Sequence, residues 1–330
     1  EHNNLEYLNK QGMMPQKVAQ KDNPYLSAFW QWWPELYENL EVFRMTGGEP
    51  LMDSNTYKVL DYIYEHPNAW LELSITTNMC PPKTELWDKF INKMCKLEQM
   101  QIWESDRFNP GSGNNWYVNM ATKNNALFVS VDSVSEQAEY IRTGLDYVQM
   151  QKNVDEFLLK THNSTITFIN TFNILSVPGI KKFCEYILRL RDRNNREAQG
   201  LKKIPIYDQW HDHPDQIVYP RQRIWFDIPL LRYPDWLSSN LLPEHQDHYI
   251  TDAIEFMKAN QLSDDSDFVG FHDFEIAKLE RNLAWIQENR VSDHTDVRYK
   301  NFRSFVDQLD QRRDTKFDVV FPELSEIYNY

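Results

Sequence analysis

Apolar positions along this chain recur with two periods that take turns. Short runs rich in β-branched and aromatic residues, at 42–46, 71–77, 126–132, 165–172 and 224–229, have the length and composition of strands. Between them the apolar residues fall three and four apart, as Tyr57, Leu60, Ile63 and Tyr64 do, which predicts helices over 54–66, 83–98, 135–160 and 178–193. A further helix is expected over about 24–40, with Asn23 as its N-cap. Strict strand–helix alternation predicts an α/β domain of parallel strands joined by helical crossovers. Two stretches break the rhythm. Residues 98–125, with Asn109-Pro110-Gly111-Ser112-Gly113-Asn114-Asn115 at their centre, read as a loop-rich insertion with short strands at 101–103 and 116–119. From about Leu241 the pattern is helical only, with helices expected at 249–260, 274–289 and 299–311. The expected domains are therefore an α/β unit over 1–240 and a helical C-terminal extension over 241–330.

Composition narrows the function classes. The chain has 330 residues of which 41% are hydrophobic, enough for one large core plus an appendage. No run is apolar enough to cross a bilayer, so no membrane partner is expected. A net charge of −14 and a pI near 5.1 argue against binding nucleic acid through the overall field. Cys80, Cys95 and Cys184 have no framework spacing, which points to a reducing, cytoplasmic compartment and makes the sequon Asn163-Ser164-Thr165 uninformative. The run Asp264, Asp265, Asp267 reads as a solvated loop. Phe29, Trp30, Trp32, Trp33 and Tyr37 cluster most of their rings on one helical face, for packing in preference to a substrate platform.

The chemistry-bearing residues gather at strand ends. Val42-Phe43-Arg44-Met45 runs into Thr46-Gly47-Gly48-Glu49-Pro50-Leu51, where adjacent glycines give the backbone conformations that a Cβ forbids and Pro50 stops the strand. Glu49 then sits in a strand-to-helix loop, where α/β folds bind ligands, and its carboxylate suits an ammonium group. Thr77, Asn78, Ser130, Asp132, Asn170 and Thr171 fall at the carboxyl ends of the later strands. Plainer roles stand beside these: Thr77 and Asn78 in an Asx-type turn, Asp132 as cap of the helix near Ser135, Arg142 as a surface ion-pair partner. Cys80 reads as a small buried hydrophobe before a redox residue. His211-Asp212-His213-Pro214-Asp215 has metal-ligand residue types but the setting of a loop.

These strings together resemble the radical S-adenosylmethionine (SAM) enzymes. Thr46-Gly47-Gly48-Glu49-Pro50-Leu51 is similar to their second-strand signature, Thr76-Thr77-Asn78 to the "TTNG" end of the third strand, and Ser130-Val131-Asp132-Ser133 to the "SxDG" end of the fourth. Glu139-Tyr140-Ile141-Arg142 resembles the "hdxxR" segment of the peptide-modifying members, and order and spacing agree over about residues 36–235. Asn173–Pro178 and Phe317–Leu324 resemble segments of members carrying a shortened SPASM-like, or "twitch", region. One element departs. The family's Cys-x3-Cys-x2-Cys loop, whose thiolates hold a 4Fe-4S cluster, has no counterpart among the three cysteines, and the expectation is that it lies upstream of Glu1 together with the first strand.

The resemblance implies a partial (β/α)6 barrel with its first strand missing from this chain, plus the helical C-terminal region. It implies that Gly47, Gly48, Glu49 and Pro50 receive the methionine amino group of SAM and that Thr77 and Asn78 also bind the cofactor. Ser130 and Asp132 would lie at the ribose or its neighbourhood, Asn170 would be a further cofactor-binding residue, and Arg142 would take the methionine carboxylate, a task that suits its planar fork. It further implies reductive cleavage of SAM to a 5′-deoxyadenosyl radical that abstracts hydrogen from a peptide or protein substrate, with flavodoxin or ferredoxin as electron donor. No metal ligand of this chain is assigned, no second cluster is expected, and no catalytic residue is named. The rival is a barrel homologue that acts as a scaffold without a cluster.

Overall fold

A computed structural model describes residues 9–13, 23–99, 102–104, 116–118, 121–161, 164–200, 222–263 and 269–330. The chain divides into two units, residues 1–41 and 42–330. In the first, helix α1 (Pro24–Glu38) starts where Asn23 accepts hydrogen bonds from the Tyr25 and Leu26 amides at 3.0 and 3.4 Å. Its rings pack along one side, Phe29, Trp30 and Trp33 lying mutually 5.3–5.9 Å apart and Tyr37 following at 5.5 Å, with Trp33 and Tyr37 buried.

The second unit begins with the alternation expected: β1 (Val42–Met45), α2 (Ser54–Glu65), β2 (Asn68–Thr77), α3 (Thr84–Gln99). A small antiparallel pair, β3 (Ile102–Glu104) and β4 (Trp116–Val118), interrupts it. The series then resumes with β5 (Thr122–Ser130), α4 (Ser135–Ile141), α5 (Tyr147–Lys160), β6 (Thr165–Ile169), α6 (Ile180–Gly200) and β7 (Ile224–Asp227). Five of these strands form one all-parallel sheet in the order β1-β2-β5-β6-β7. Each strand lies beside its predecessor, so the winding never reverses. Crossovers of a single hand in such a sheet leave their helices on one face.

Burial agrees with that. Leu73, Ile75, Leu127, Val129, Ile166, Phe168, Ile224 and Phe226 are all buried, and α6 covers part of them through edge-on ring contacts of Phe183 with Phe168 and Phe226 at 6.3 and 5.9 Å. The alternate residues Thr76, Phe128, Ser130, Thr167, Ile169, Trp225 and Asp227 are only part-buried and carry more polar groups. One-way winding with one covered face is compatible with a partial barrel.

Helices α7 (His248–Ala259), α8 (Asp273–Glu288), α9 (Val297–Arg313), α10 (Phe317–Val320) and α11 (Ser325–Asn329) complete the unit. They join the α/β part through a two-pronged buried pair, Arg191 on α6 donating to Glu275 on α8 at 2.7 and 3.0 Å. The guanidinium also donates to the Ile224 carbonyl of β7 at 3.1 Å, and such extra bonds are what make a desolvated ion pair tolerable.

One expected element is corrected. The helix predicted over 135–160 is two helices, because Arg142 is extended (φ −114°, ψ 100°) and Gly144 takes φ +83°. Asp146 then caps the restart by accepting from the Gln149 amide at 2.8 Å. A glycine suited to a left-handed turn followed two residues later by an N-cap carboxylate is a break-and-restart signal that the long apolar period masks. The readings of His211–Asp215, of Asp264, Asp265 and Asp267, of the Asn109–Asn115 loop and of the sequon's Asn163 lie outside the described residues.

Candidate functional site

Parallel register brings the carboxyl ends of the strands to one rim of the sheet. Met45 pairs with Ile75, Thr77 with Val129, Ser130 with Ile169, and Ile169 with Asp227. The residues singled out from sequence sit on this rim in two clusters on successive strands.

The first cluster is built around Glu49. After β1, Gly47 and Gly48 take φ of +93° and +56°, and an added Cβ at either would meet nothing within 4 Å among the described residues. Their glycine identity therefore answers to backbone angle and not to crowding. Both are exposed, which leaves room above the turn, whereas Pro50 is buried at the first position of a 3₁₀ turn. Glu49 caps that turn by accepting from the Leu51 amide at 3.1 Å. The same carboxylate accepts from the Thr77 hydroxyl at 2.6 Å and from the Asn78 amide at 3.0 Å, and so fastens β1 to the end of β2. Every one of these donors is uncharged. Among the described residues no cationic side chain pairs with Glu49, so its negative charge is held in place but not neutralised. The charge is felt nearby: Tyr57, whose hydroxyl donates to the Leu51 and Leu86 carbonyls at 2.6 and 3.0 Å, has its pKa pushed up to about 12, by burial first and by Glu49 second.

Thr77 and Asn78 thus do more than one thing. Thr77 Oγ1 accepts from the Met79 amide at 2.9 Å, and Asn78 Oδ1 accepts from the Cys80 amide at 2.8 Å, the Asx-type turn that the sequence allowed. Met79 is forced to φ +55°, and its carbonyl is held by Asn153 Nδ2 from α5 at 2.7 Å. Asn153 is a supporting residue that periodicity concealed, because it occupies the buried face of a helix where an apolar residue is the usual choice.

The second cluster is built around Asp132, which is 5% exposed. Its Oδ1 accepts from the Thr171 amide at 2.8 Å, its Oδ2 lies 2.8 Å from Arg142 Nε, and its carbonyl accepts from Asn170 Nδ2 at 3.0 Å. The capping role considered for Asp132 is not the one it plays. The residue before α4 is Val134, which provides no side-chain cap, and the carboxylate turns to β6 and Arg142 instead. Arg142 stays about a third exposed, and the Asp132 contact engages Nε alone. The close Nε approach lacks the angle of a proper hydrogen bond, so the pairing is mainly Coulombic. A guanidinium has five donors, so the terminal nitrogens retain the capacity to grip a second anion. Asn170 is fully buried and its Oδ1 has no hydrogen-bond partner among the described residues. An orphaned buried acceptor costs roughly 1–3 kcal/mol and fits a site whose missing donor belongs to a ligand. Ser130 ends β5, on the part-buried face of the sheet.

The cysteines have a different character. Cys80 and Cys184 are buried and Cys95 is part-buried; burial is the first cause that raises the pKa of each thiol, which disfavours the thiolate that a metal requires. Among the described residues no group of three or more His, Cys, Asp or Glu side chains could hold a metal ion. These residues therefore do not fit an iron–sulfur cluster, whereas the rim has acceptors for an ammonium and donors for a carboxylate. Among the described residues no helix is long and apolar enough to cross a membrane. No protein-family model matches the chain, and no curated protein and no solved structure shows a significant match to it.

Proposed function

We propose that this chain is the SAM-binding barrel of a radical SAM enzyme, of the twitch-bearing, peptide-modifying kind. Its five parallel strands would form part of a (β/α)6 barrel. One observation carries the reading: residues at the carboxyl ends of successive parallel strands share one rim, with an unneutralised carboxylate on one side and a part-exposed guanidinium on the other. That is the charge pattern of an amino-acid zwitterion in negative. Glu49 would accept from the ammonium, and exposed Gly47 and Gly48 would admit the backbone close to it. Arg142, steadied through Nε by Asp132, would offer its terminal nitrogens to the carboxylate. Asn170 Oδ1 would receive a ligand hydroxyl or amino hydrogen and so lose its orphan status.

In the family the reaction is reductive cleavage of SAM, giving methionine and a 5′-deoxyadenosyl radical that takes hydrogen from a substrate, here a peptide or protein. Because the cysteines of this chain do not fit the cluster, no step of that cleavage is assigned to a residue here. The function assigned to this chain is to bind and orient SAM. A second reading, a clusterless barrel that serves as a scaffold, draws support from those same buried thiols.

The test is SAM binding by equilibrium dialysis to the full-length protein. Glu49→Ala should weaken it by about tenfold or more, the worth of one charge-assisted hydrogen bond. Unchanged affinity removes the assignment of the Gly-Gly-Glu turn to the cofactor.

A further inference from the structure

The short helix that carries Arg142 is not held by the sheet alone. Helix α4 lacks a side-chain N-cap and begins at Ser135 with φ +51°, so little local structure fixes its start. Its grip comes from the far end of the chain. Tyr140 donates to Asp310 Oδ1 at 2.8 Å, and Arg313 Nη1 donates to the Tyr140 carbonyl at 2.8 Å. Gln137 Nε2 reaches the Val320 carbonyl and the Glu323 carboxylate at 3.3 and 3.4 Å. The Tyr140 ring meets Phe321 edge-on at 5.4 Å and Phe317 at 6.0 Å. Asp310 itself organises this grip, since it also accepts from the Thr315 hydroxyl at 2.7 Å and the Phe317 amide at 2.8 Å, fixing the turn between α9 and α10. Arg142 follows Tyr140 by two residues and sits outside the helix, where it leans on whatever orients α4.

We propose that residues 310–323 position Arg142, with Tyr140 and Gln137 as the positioning residues, and that the C-terminal helices thereby set how strongly the site recognises a ligand carboxylate. The proposal rests on the assignment of Arg142 to that carboxylate. It gives the C-terminal region a task in the cofactor site that needs no ligand of its own. The buried Tyr140 hydroxyl is well suited to that task. Burial first, and its hydrogen bond to Asp310 second, raise its pKa, so it remains a neutral donor throughout the physiological range.

The experiment compares SAM with its decarboxylated analogue, S-adenosylmethioninamine, as ligands of the full-length protein. The wild type should prefer SAM by about tenfold or more, because only SAM meets Arg142 with a carboxylate. Arg142→Ala should abolish the preference. Tyr140→Phe keeps the ring between Phe317 and Phe321 and removes the hydroxyl alone; it should cut the preference by about fivefold through weaker SAM binding, with the analogue unaffected. If Tyr140→Phe fails to fold, Gln137→Ala provides the same comparison. Equal weakening of both ligands would mean a purely structural role and overturns the proposal. If Arg142→Ala abolishes the preference while Tyr140→Phe and Gln137→Ala leave it intact, the positioning proposal falls and the cofactor reading stands. If Arg142→Ala leaves the preference unchanged, the carboxylate assignment fails, and the positioning proposal with it.

Discussion

The two rim clusters handle a carboxylate in opposite ways. Glu49 is surrounded by uncharged donors, two of them backbone amides, and has no cationic partner among the described residues. Asp132 is more deeply buried and has a guanidinium at 2.8 Å. Isolated buried charge is costly, so the deeper carboxylate needs the cation, whereas the shallower one can rely on amides and solvent. On the reading proposed above the two clusters divide the labour: the first would present negative charge to a ligand, and the second would use its negative charge to orient a positive group. The proposed site would thus meet the two ends of a zwitterion with opposite charges, although each cluster is centred on a carboxylate.

Truncating each carboxylate in turn separates the two roles. Asp132→Ala should cost about 3 kcal/mol of unfolding free energy, since it strands Arg142 and leaves the Thr171 amide without its acceptor, a figure at the lower end of the range for a buried pair because Arg142 is part-exposed. Glu49→Ala should cost about 2 kcal/mol, the worth of a cap plus the two part-exposed ties to Thr77 and Asn78. Urea unfolding of both variants checks the order; a larger loss for Glu49→Ala would reverse the assignment of which carboxylate is structural.

A smaller effect isolates the Glu49 side. Tyr57 titrates near 10 when unfolded and near 12 when folded, so its neutral form is the one the fold favours. Its contribution is whole below pH 10 and is lost as pH rises through about 12. The stability gap between wild type and Tyr57→Phe should accordingly be wider at pH 8 than at pH 11, read from urea midpoints. An equal gap at both pH values would mean that Tyr57 does not feel burial beside Glu49.

The division between the clusters also tracks what could be read from the chain. The parts of the Glu49 cluster are local, a strand, two glycines at positive φ, a cap and an Asx turn, each signalled by residues close in sequence, and only the tie from Glu49 to Thr77 and Asn78 spans a distance along the chain. The alternation of strands and helices was legible for the same reason. The Asp132 cluster joins residues across β5, β6 and α4, and its support comes from residues 310–323, separations at which composition and periodicity carry no signal. The break at Arg142–Asp146 stayed hidden because the apolar residues on either side keep helical spacing, with Ala138 and Tyr140 before it and Met150 and Val154 after it all buried. Gly144 and the N-cap carboxylate Asp146 were the local clues.

Whether Glu49 and Arg142 take opposite ends of one SAM molecule can be read from a double-mutant cycle on SAM binding, with Glu49→Gln and Arg142→Ala in the full-length protein. Each substitution should weaken binding by about tenfold and the two effects should multiply, as two separate charge-assisted contacts to one ligand require. SAM binding that neither substitution changes would contradict the assignment of both residues.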